Sequence, residues 1–505
     1  MARWFVDRLP QRGIPSVSLR KLLPGARFVG CRDWEVSGCT ADSRRLDPGQ
    51  VFVAIRGSRH DGHDFVSQAL ERGAAGVVVE RPCPEAGRLQ VVVADSRVAH
   101  ARICQALAGD PTEQLLTVGV TGTCGKTVAS LLLRSIFEAT GERFGLVGAL
   151  GWSDGVDVHP SSGVSPGAEG LAAMLGTMVE CRCAGAVIEV GAEALEQCRI
   201  EGLELDAAVV TDLGGTLGPG LDDLPARRRA KARLFCKVVP GGAAVVNADD
   251  PHAELLGAVN LDARRVSFAI DRPADVTARI VRLDARGSRF LLRGFDREAA
   301  VELPLVGPAH VSQALAAAAV AWSRDLMLDA VVAGLESVTG VPGRLEAVVE
   351  GQDFAVWVDQ ARSGLELWQA LASVRALTSG KVHCVLGAEG LQGRSVRLAL
   401  AHAAEAGADR VVLTSDNPRT EDPNQILDDL LSGFRRPGRV RVEPDRRRAI
   451  EAALRDAEPG DAVLIAGKGQ RTFQIFAGTA VPFDDQAIAA QWLRRRYRNP
   501  NRSSA

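Results

Sequence analysis

Apolar residues along this chain fall into two patterns. Some form short, nearly unbroken runs, the mark of strands buried on both faces of a parallel sheet. Others recur every three or four residues, as on an amphipathic helix. Near the N-terminus, QVFVAI and AGVVVE are predicted strands, with the helix DFVSQALERGA between them. AGDPTEQL, polar and proline-containing, reads as a connector. The strand LLTVGV then runs into a glycine-rich turn and a helix from about Thr127 that stops at Gly141, followed by strands GAVIEV, DAAVVT and GAAVVN. From near VPGRLEAV, strands DFAVWVD, KVHCVLG, DRVVLTS and DAVLIAG alternate with helices LELWQALASVRAL, SVRLALAHAAEAGA and DRRRAIEAALRDA. This rhythm predicts an α/β protein with doubly wound sheets, whose ligands sit beyond the C-terminal strand ends. It divides the chain into blocks 1–112, 113–342 and 343–505.

Composition narrows the class of partner. At 505 residues, 46% hydrophobic and 24% charged, with a net charge of −2, the chain reads as a soluble globular protein without general affinity for nucleic acid or membrane. LAAAAVAW is far too short to span a bilayer, and the basic end RRRYRNPNRSSA reads as a solvated tail. MARWFVDRLPQRG lacks the apolar core of a signal peptide, so a cytoplasmic location is expected. The ten cysteines are scattered as singles apart from Cys181 and Cys183, and eight histidines are dispersed. No zinc-ligand spacing is visible, so reduced, buried thiols are expected rather than structural zinc.

The candidate chemistry begins at TGTCGKT, residues 121–127. A strand, a turn with Gly122, Thr123 and Gly125, and a helix opening at Lys126 and Thr127 aim backbone N–H groups at one spot. That arrangement favours phosphate, with Lys126 adding charge and Thr127 a hydroxyl for Mg²⁺. The strict P-loop pattern would place a glycine at Val120; the plainer alternative is a tight turn with a solvated lysine. Glu189 closes a buried strand and suits either a metal ligand or a helix cap. Lys231, in RRRAKARLF, reads as an ordinary surface lysine. TSDNPRTEDP sets Asp416, Asn417 and Arg419 in a turn after a strand. There Arg419 could clamp a carboxylate and the other two could bind an amine, or Pro418 could simply end an Asx turn.

Taken together these stretches resemble the Mur ligase family, and within it the enzymes that add the third amino acid of the peptidoglycan precursor. The resemblance runs nearly end to end. It rests on DSRRLDPGQVFVAIRGSRHDGHDFVSQALERGAAGVVVE in the first block, and on TGTCGKT, EVGAEALEQCRIEG, AKARLF and VVNADDP in the second. In the third it rests on PGRLEAV, TSDNPRTEDP, AGKGQ and FDD. It implies a UDP-substrate-binding domain, a central P-loop ATPase built on a parallel sheet, and a C-terminal Rossmann-like domain. The implied reaction is ATP-dependent amide ligation. ATP phosphorylates the terminal carboxylate of UDP-MurNAc-L-Ala-D-Glu, and the amine of an amino acid attacks the acyl phosphate. By the same resemblance Lys126 and Thr127 hold ATP and Mg²⁺, Glu189 is a metal ligand, and Lys231 is the lysine that the family carbamylates as a further Mg²⁺ ligand. Arg344 and Asp359 lie around the nucleotide. Ser43 contacts uridine, and Gln197 and Arg199 contact the sugar diphosphate. Asp416, Asn417, Arg419 and Gly467 belong to the amino-acid side, where the spelling DNPR implies meso-diaminopimelate. A monomer serving cell-wall synthesis, cell shape and cell division is implied.

The chain departs from the family's spelling at the chemistry itself. Cys124 stands where TGTNGKT has asparagine, and Gly191 to Glu193 replace the serine and histidine of EVSSHAL. DLGGTLGPGLD replaces NLSRDHLDYHG and has no histidine. VDQARSGLE replaces VDYAHTPD, AEGLQGRSVR replaces GDRDRGKR, and Arg471 replaces the glutamate of AGKGHE. That last change inverts a charge. Two readings follow: a divergent ligase, or a paralogue that keeps the fold and ligand binding without turnover and serves as a scaffold. A folylpolyglutamate- or cyanophycin-type ligase on the same ATPase core is a weaker third, opposed by the UDP-domain signature.

Overall fold

The computed structural model describes residues 16–30, 33–57, 60–160, 165–214, 224–257, 259 and 262–498. It divides into two compact units. One takes the chain up to Gly119, Glu142–Ala208 and Arg233–Gly242; the other takes Val120–Gly141, Val209–Ala232 and the chain from Ala243 onward.

The first unit contains a five-stranded sheet of β1 (Arg27–Val29), β2 (Cys39–Thr40), β3 (Val51–Val53), β4 (Gly76–Val79) and β5 (Gln90–Val92), in the order β1-β5-β4-β3-β2. All neighbours are parallel except β1 and β5. Alternate residues face opposite ways, so Phe52, Val77 and Val79 pack on α1 (Val66–Glu71), while Val51, Val53, Val78 and Val91 pack on α2 (Ser96–Leu107). Burial on both faces explains why these strands read as continuous apolar runs. Asp95 caps α2, its carboxylate accepting from the N–H groups of Arg97 and Val98.

Strand β6 (Leu116–Thr121) opens in this unit, where Leu116 N–H donates to Ala184 O at 3.0 Å, and leads in sequence to α3 (Lys126–Glu138). Strands β7 (Phe144–Gly148), β8 (Gly151–Ser153) and β9 (Val158–His159) follow, then α4 (Ala168–Glu180), β10 (Gly185–Glu189) and β11 (Leu205–Val210). β7 pairs in parallel with β10 and antiparallel with β8.

In the second unit, α5 (Leu224–Ala232) precedes β12 (Val238–Asn247), whose Ala243–Asn247 part pairs in parallel with β13 (Arg264–Ala269). β13 pairs in parallel with β14 (Val276–Asp284), which continues antiparallel through β15 (Gly287–Gly294) and β16 (Arg297–Leu303). This meander has no long continuous apolar runs to announce it in the sequence. Helix α6 (Pro308–Ser323) carries the LAAAAVAW stretch and is buried from Ala314 to Trp322. It packs against α3, as does α7 (Leu328–Ser337). Small side chains bring α3 and α7 close enough for Ser135 Oγ to donate to Gly334 O at 2.9 Å. No helix among the described residues is long and apolar enough to cross a membrane.

The C-terminal part of this unit is a six-stranded sheet: β17 (Glu346–Ala347), β18 (Ala355–Asp359), β19 (Val382–Leu386), β20 (Arg410–Leu413), β21 (Val440–Val442) and β22 (Ala462–Ala466), in the order β17-β18-β22-β19-β20-β21. All are parallel but β17. Helices α8 (Gly364–Leu377), α9 (Arg394–Gly407) and α10 (Pro423–Ser432) cover one face; α11 (Arg446–Asp456) and α12 (Asp485–Leu493) cover the other. The hairpin β23 (Phe473–Phe476) and β24 (Thr479–Pro482) follows β22. Residues 359, 386, 413 and 466 end the parallel strands on one side, the ligand side of such sheets.

A buried ion pair fixes that end of the sheet. Arg446 and Asp485 are fully buried, joined by Nε to Oδ1 at 2.8 Å and Nη2 to Oδ2 at 2.7 Å, and Nη2 also reaches Ala466 O at 2.9 Å. Breaking one partner leaves a buried charge unpaired. Asp485→Ala is therefore expected to lower unfolding free energy by about 3–5 kcal/mol, measured by denaturant titration, whereas a change below about 1 kcal/mol would show the pair to be dispensable.

Candidate functional site

The loop from β6 to α3 is shaped by two glycines. A Cβ on Gly122 would lie 1.9 Å from Thr211 Oγ1, and Gly125 occupies a left-handed φ of 81° at the N-cap of α3. No side chain caps this helix, and a helix N-terminus, whose first N–H groups have no acceptor within the helix, suits an anion. Lys126 Nζ lies within the curl, donating to Gly122 O at 2.7 Å and Thr123 O at 3.1 Å. The neighbouring strand end holds the loop: Thr211 N–H donates to Thr121 O at 2.9 Å, and Thr211 Oγ1 donates to Cys124 O at 2.6 Å. Asp212 accepts from the N–H of Cys124 at 2.7 Å and of Thr123 at 3.2 Å. Cys124 is buried, and burial pushes its thiol pKa well above the ordinary value, so it stays protonated and unreactive. Beside it lies a cavity of about 60 Å³, lined by Cys124, Asp212, Asn247, Phe268, Gln313 and Gln369 among others.

Lys231 corrects the sequence reading. It is a buried residue, not a surface lysine: its side chain is 5% exposed, Nζ donates to Thr123 Oγ1 at 2.5 Å, and Asp212 lies 4.0 Å away. The run of arginines before it is misleading, because only the last turn of α5, from Ala230 to Ala232, faces inward. Burial lowers the Lys231 pKa, Lys126 adds repulsion, and Asp212 opposes the shift. Arg344 joins the same place, with Nη2 3.4 Å from Thr127 Oγ1. Asp359 accepts from the N–H groups of Leu345 at 2.8 Å and Ala361 at 2.7 Å. Burial pushes its carboxyl up to about 6, while Arg344 and those N–H groups pull it down. Gly122, Thr123, Gly125, Lys126, Thr127, Lys231, Arg344 and Asp359 thus form one linked set in the second unit.

The other end of that unit carries the DNPR turn. Asp416 and Asn417 are buried, and the amine they hold is that of Lys468, at 3.3 and 3.1 Å. Asn417 Oδ1 also accepts from Ile475 N–H, tying the turn to β23. Lys468 lies within the AGKGQ motif, but sequence alone did not reveal it as the partner of this turn. Gly467 N–H donates to Asp359 O at 2.9 Å, and Gly467 O accepts from Arg362 Nε at 3.3 Å. Arg419 and Arg471 both reach Glu389 Oε1, at 2.8 and 2.7 Å, and Arg362 Nη1 lies 3.9 Å from Oε2. Burial raises the Glu389 pKa, but Arg419 and Arg471 outweigh it and bring it below the ordinary range. Three guanidinium groups therefore share one carboxylate, and Arg362 Nη2 is buried without a hydrogen-bond partner. Glu389 and Arg362 lie within AEGLQGRSVR and VDQARSGLE, two stretches that depart from the family's spelling, and neither stands out there as a site residue.

In the first unit, Ser43 is buried and its Oγ donates to Gln68 Oε1 at 2.7 Å. Gln197 and Arg199 are brought together: Arg199 donates to Gln197 Oε1 at 3.0 Å from Nε and 2.7 Å from Nη2, and to Glu193 Oε1 at 2.9 Å. Glu189 ends β10, 2% exposed, with Oε1 accepting from Ala149 N–H at 3.2 Å. Residues 215–223, part of the stretch without histidine, and the basic tail beyond 498 lie outside the described residues.

Three consecutive family matches cover this architecture: the Mur ligase family catalytic domain over residues 20–107, the Mur ligase middle domain over 120–321, and the Mur ligase glutamate ligase domain over 343–469. The chain belongs to the Mur ligase family, a family of ATP-dependent ligases. A UDP-N-acetylmuramoyl-L-alanyl-D-glutamate–2,6-diaminopimelate ligase of Geobacillus kaustophilus is 37% identical over 489 residues, 95% of this chain and 99% of the relative. Its counterpart in Gloeobacter violaceus is 36% identical over 488 residues, 96% of this chain and 99% of the relative. A solved structure of an enzyme of the same name, 29% identical, superposes with a TM-score of 0.67 over 95% of this chain and 99% of its own. A Mycobacterium tuberculosis folylpolyglutamate synthase bound to ADP shares the fold at 22% identity, with a TM-score of 0.62 over 73% of this chain and 91% of its own.

The Asp212 carboxylate occupies the N–H groups of Thr123 and Cys124, so it would oppose the charge of any phosphate bound at this loop. Asp212→Asn is expected to tighten ATP binding, titrated without divalent cation, by about 1 kcal/mol or roughly fivefold. Unchanged or weaker binding would show that the carboxylate serves the loop's shape rather than opposing its ligand.

Proposed function

We propose that this protein is the ATP-dependent ligase that joins 2,6-diaminopimelate to UDP-MurNAc-L-Ala-D-Glu in peptidoglycan synthesis. The observation that carries the reading is the convergence of an uncapped helix N-terminus, Lys126, Lys231 and Arg344 on one loop. The chain also aligns with diaminopimelate ligases over 95% of its length. In this reading the substrate's terminal carboxylate attacks the γ-phosphorus of ATP and ADP leaves. The amine of the acceptor then attacks the acyl carbon, phosphate departs, and the amine loses its proton. Lys126, Arg344 and the first N–H groups of α3 hold the phosphate oxygens, so catalysis rests on positioning and charge neutralisation. Mg²⁺, when bound with the nucleotide, neutralises phosphate oxygens. The Thr127 hydroxyl and the Asp212 carboxylate are hard oxygen donors that fit it. The lowered Lys231 pKa raises the fraction of neutral amine that could add to CO2, losing a proton to leave a carbamate as a further oxygen ligand.

Acceptor choice is proposed to lie with Arg362, Arg419 and Arg471. Their excess over Glu389 favours an acceptor with a second carboxylate, which diaminopimelate has and lysine lacks.

Phosphate release from ATP, measured with UDP-MurNAc-L-Ala-D-Glu and a panel of amino acids, tests the reading. Release is expected with diaminopimelate and to be far slower with lysine; no release with any acceptor would overturn the proposal in favour of a protein that binds without turnover. Lys231→Ala should abolish release, and an unaffected rate would remove Lys231 from the chemistry. Arg419→Ala should lower kcat/KM for diaminopimelate by about 30-fold or more, the loss of a charge-paired contact of 2–5 kcal/mol.

A further inference from the structure

Outside the ligase chemistry, the first unit gathers Cys39 from β2 with His100 and Cys104 from α2. His100 and Cys104 are four residues apart and so share one face of the helix. All three are buried, between 5% and 7% exposed. Cys39 Sγ lies 3.7 Å from Cys104 Sγ, and Cys104 Sγ lies 3.5 Å from His100 Nε2. The three donor atoms fall within 4.8 Å of one another, and no other group of three His, Cys, Asp or Glu among the described residues does so.

The geometry points to a structural Zn²⁺ site formed by Cys39, His100 and Cys104. Tetrahedral zinc, with Zn–S about 2.3 Å and Zn–N about 2.0–2.1 Å, holds two sulfurs about 3.8 Å apart and a sulfur and nitrogen about 3.6 Å apart. The two distances fit that spacing, whereas a disulfide would need the sulfurs at about 2.05 Å and would leave the imidazole beside no acceptor of comparable strength.

Charge supports the same reading. Binding would release one proton from each thiol; two thiolates and a neutral imidazole then cancel the dication, so the complex is neutral. A neutral complex suits a pocket walled by Leu19, Val36, Val53, Ile103 and Ala172, where an uncompensated charge would be costly. Water would take the fourth position and keep the complex neutral; Glu169, exposed at the start of α4, acts on the three groups only electrostatically. The ion would link β2 to α2 across 65 residues of chain, and its binding energy would become folding energy for this unit. No zinc spacing is visible along the chain because the ligands come from separate elements, Cys39 on a strand and the His100–Cys104 pair on a helix.

The test uses the full-length protein, kept reduced, exposed to Zn²⁺ and passed through a desalting column. About one zinc per chain is expected by elemental analysis, and replacement by Co²⁺ should give thiolate-to-cobalt charge-transfer absorption with the intense visible bands of a tetrahedral ion. Chelation should lower the Tm, and Zn²⁺ but not Mg²⁺ should restore it. Cys39→Ser and Cys104→Ser should each lose the cobalt bands. Should those variants not fold, the wild-type cobalt spectrum decides alone. Absence of thiolate–cobalt absorption in the wild type, zinc retained in full by a folded C39S/C104S double variant, or a Cys39–Cys104 disulfide in the protein as isolated would each overturn the proposal.

Discussion

The glycine-rich loop after β6 depends on how the end of β11 holds it. Thr211 bonds the carbonyls of Thr121 and Cys124, and Asp212 takes the N–H groups of Thr123 and Cys124. These contacts leave no room for a side chain at Gly122, and Gly125 must adopt a left-handed turn, so the loop can close only in a glycine-rich form. Once closed, it presents an uncapped helix end, and the cations Lys126 and Lys231 collect around it. The position of Val120, where a strict P-loop has glycine, matters little: it is a buried residue of β6, upstream of the turn.

Buried charge recurs in the second unit, and three cases are compensated locally. Lys231 faces Asp212, Lys468 faces Asp416 and Asn417, and Arg446 faces Asp485. Such pairs contribute little net stability over an apolar core but are costly to break, so they define where elements meet more than how tightly they hold. All three lie near strand ends, where the parallel sheets leave backbone carbonyls and helix termini to be satisfied.

The strand-helix alternation was legible because parallel strands must be apolar on both faces. QVFVAI, AGVVVE and DAVLIAG therefore announce themselves, and each contains the strand the structure shows. The β14–β16 meander was not, since its outward residues are charged and its inward ones sparse, as at Arg279, Arg289 and Arg293. The glycine-rich turn between β6 and α3 could be read because its signal is local in sequence. Lys231, Glu389 and the Cys39–His100–Cys104 cluster could not, because each draws its meaning from partners far away along the chain. An arginine-rich helix hides a buried lysine as effectively as a zinc spacing rule misses ligands spread over two elements.

The departures around the DNPR turn look less like decay once the pairs are placed. The resemblance leads one to expect a glutamate where the chain has Arg471, and in isolation that change replaces an anion with a cation. In the structure a carboxylate is present at the same strand ends, on Glu389, and it bonds both Arg471 and Arg419. A site drifting without function would be expected to lose charges independently. Here the new cation has a carboxylate partner, and Glu389 is held ionised by the arginines it faces despite its burial. That coupling keeps Arg419 anchored while leaving guanidinium donors in excess over the one carboxylate.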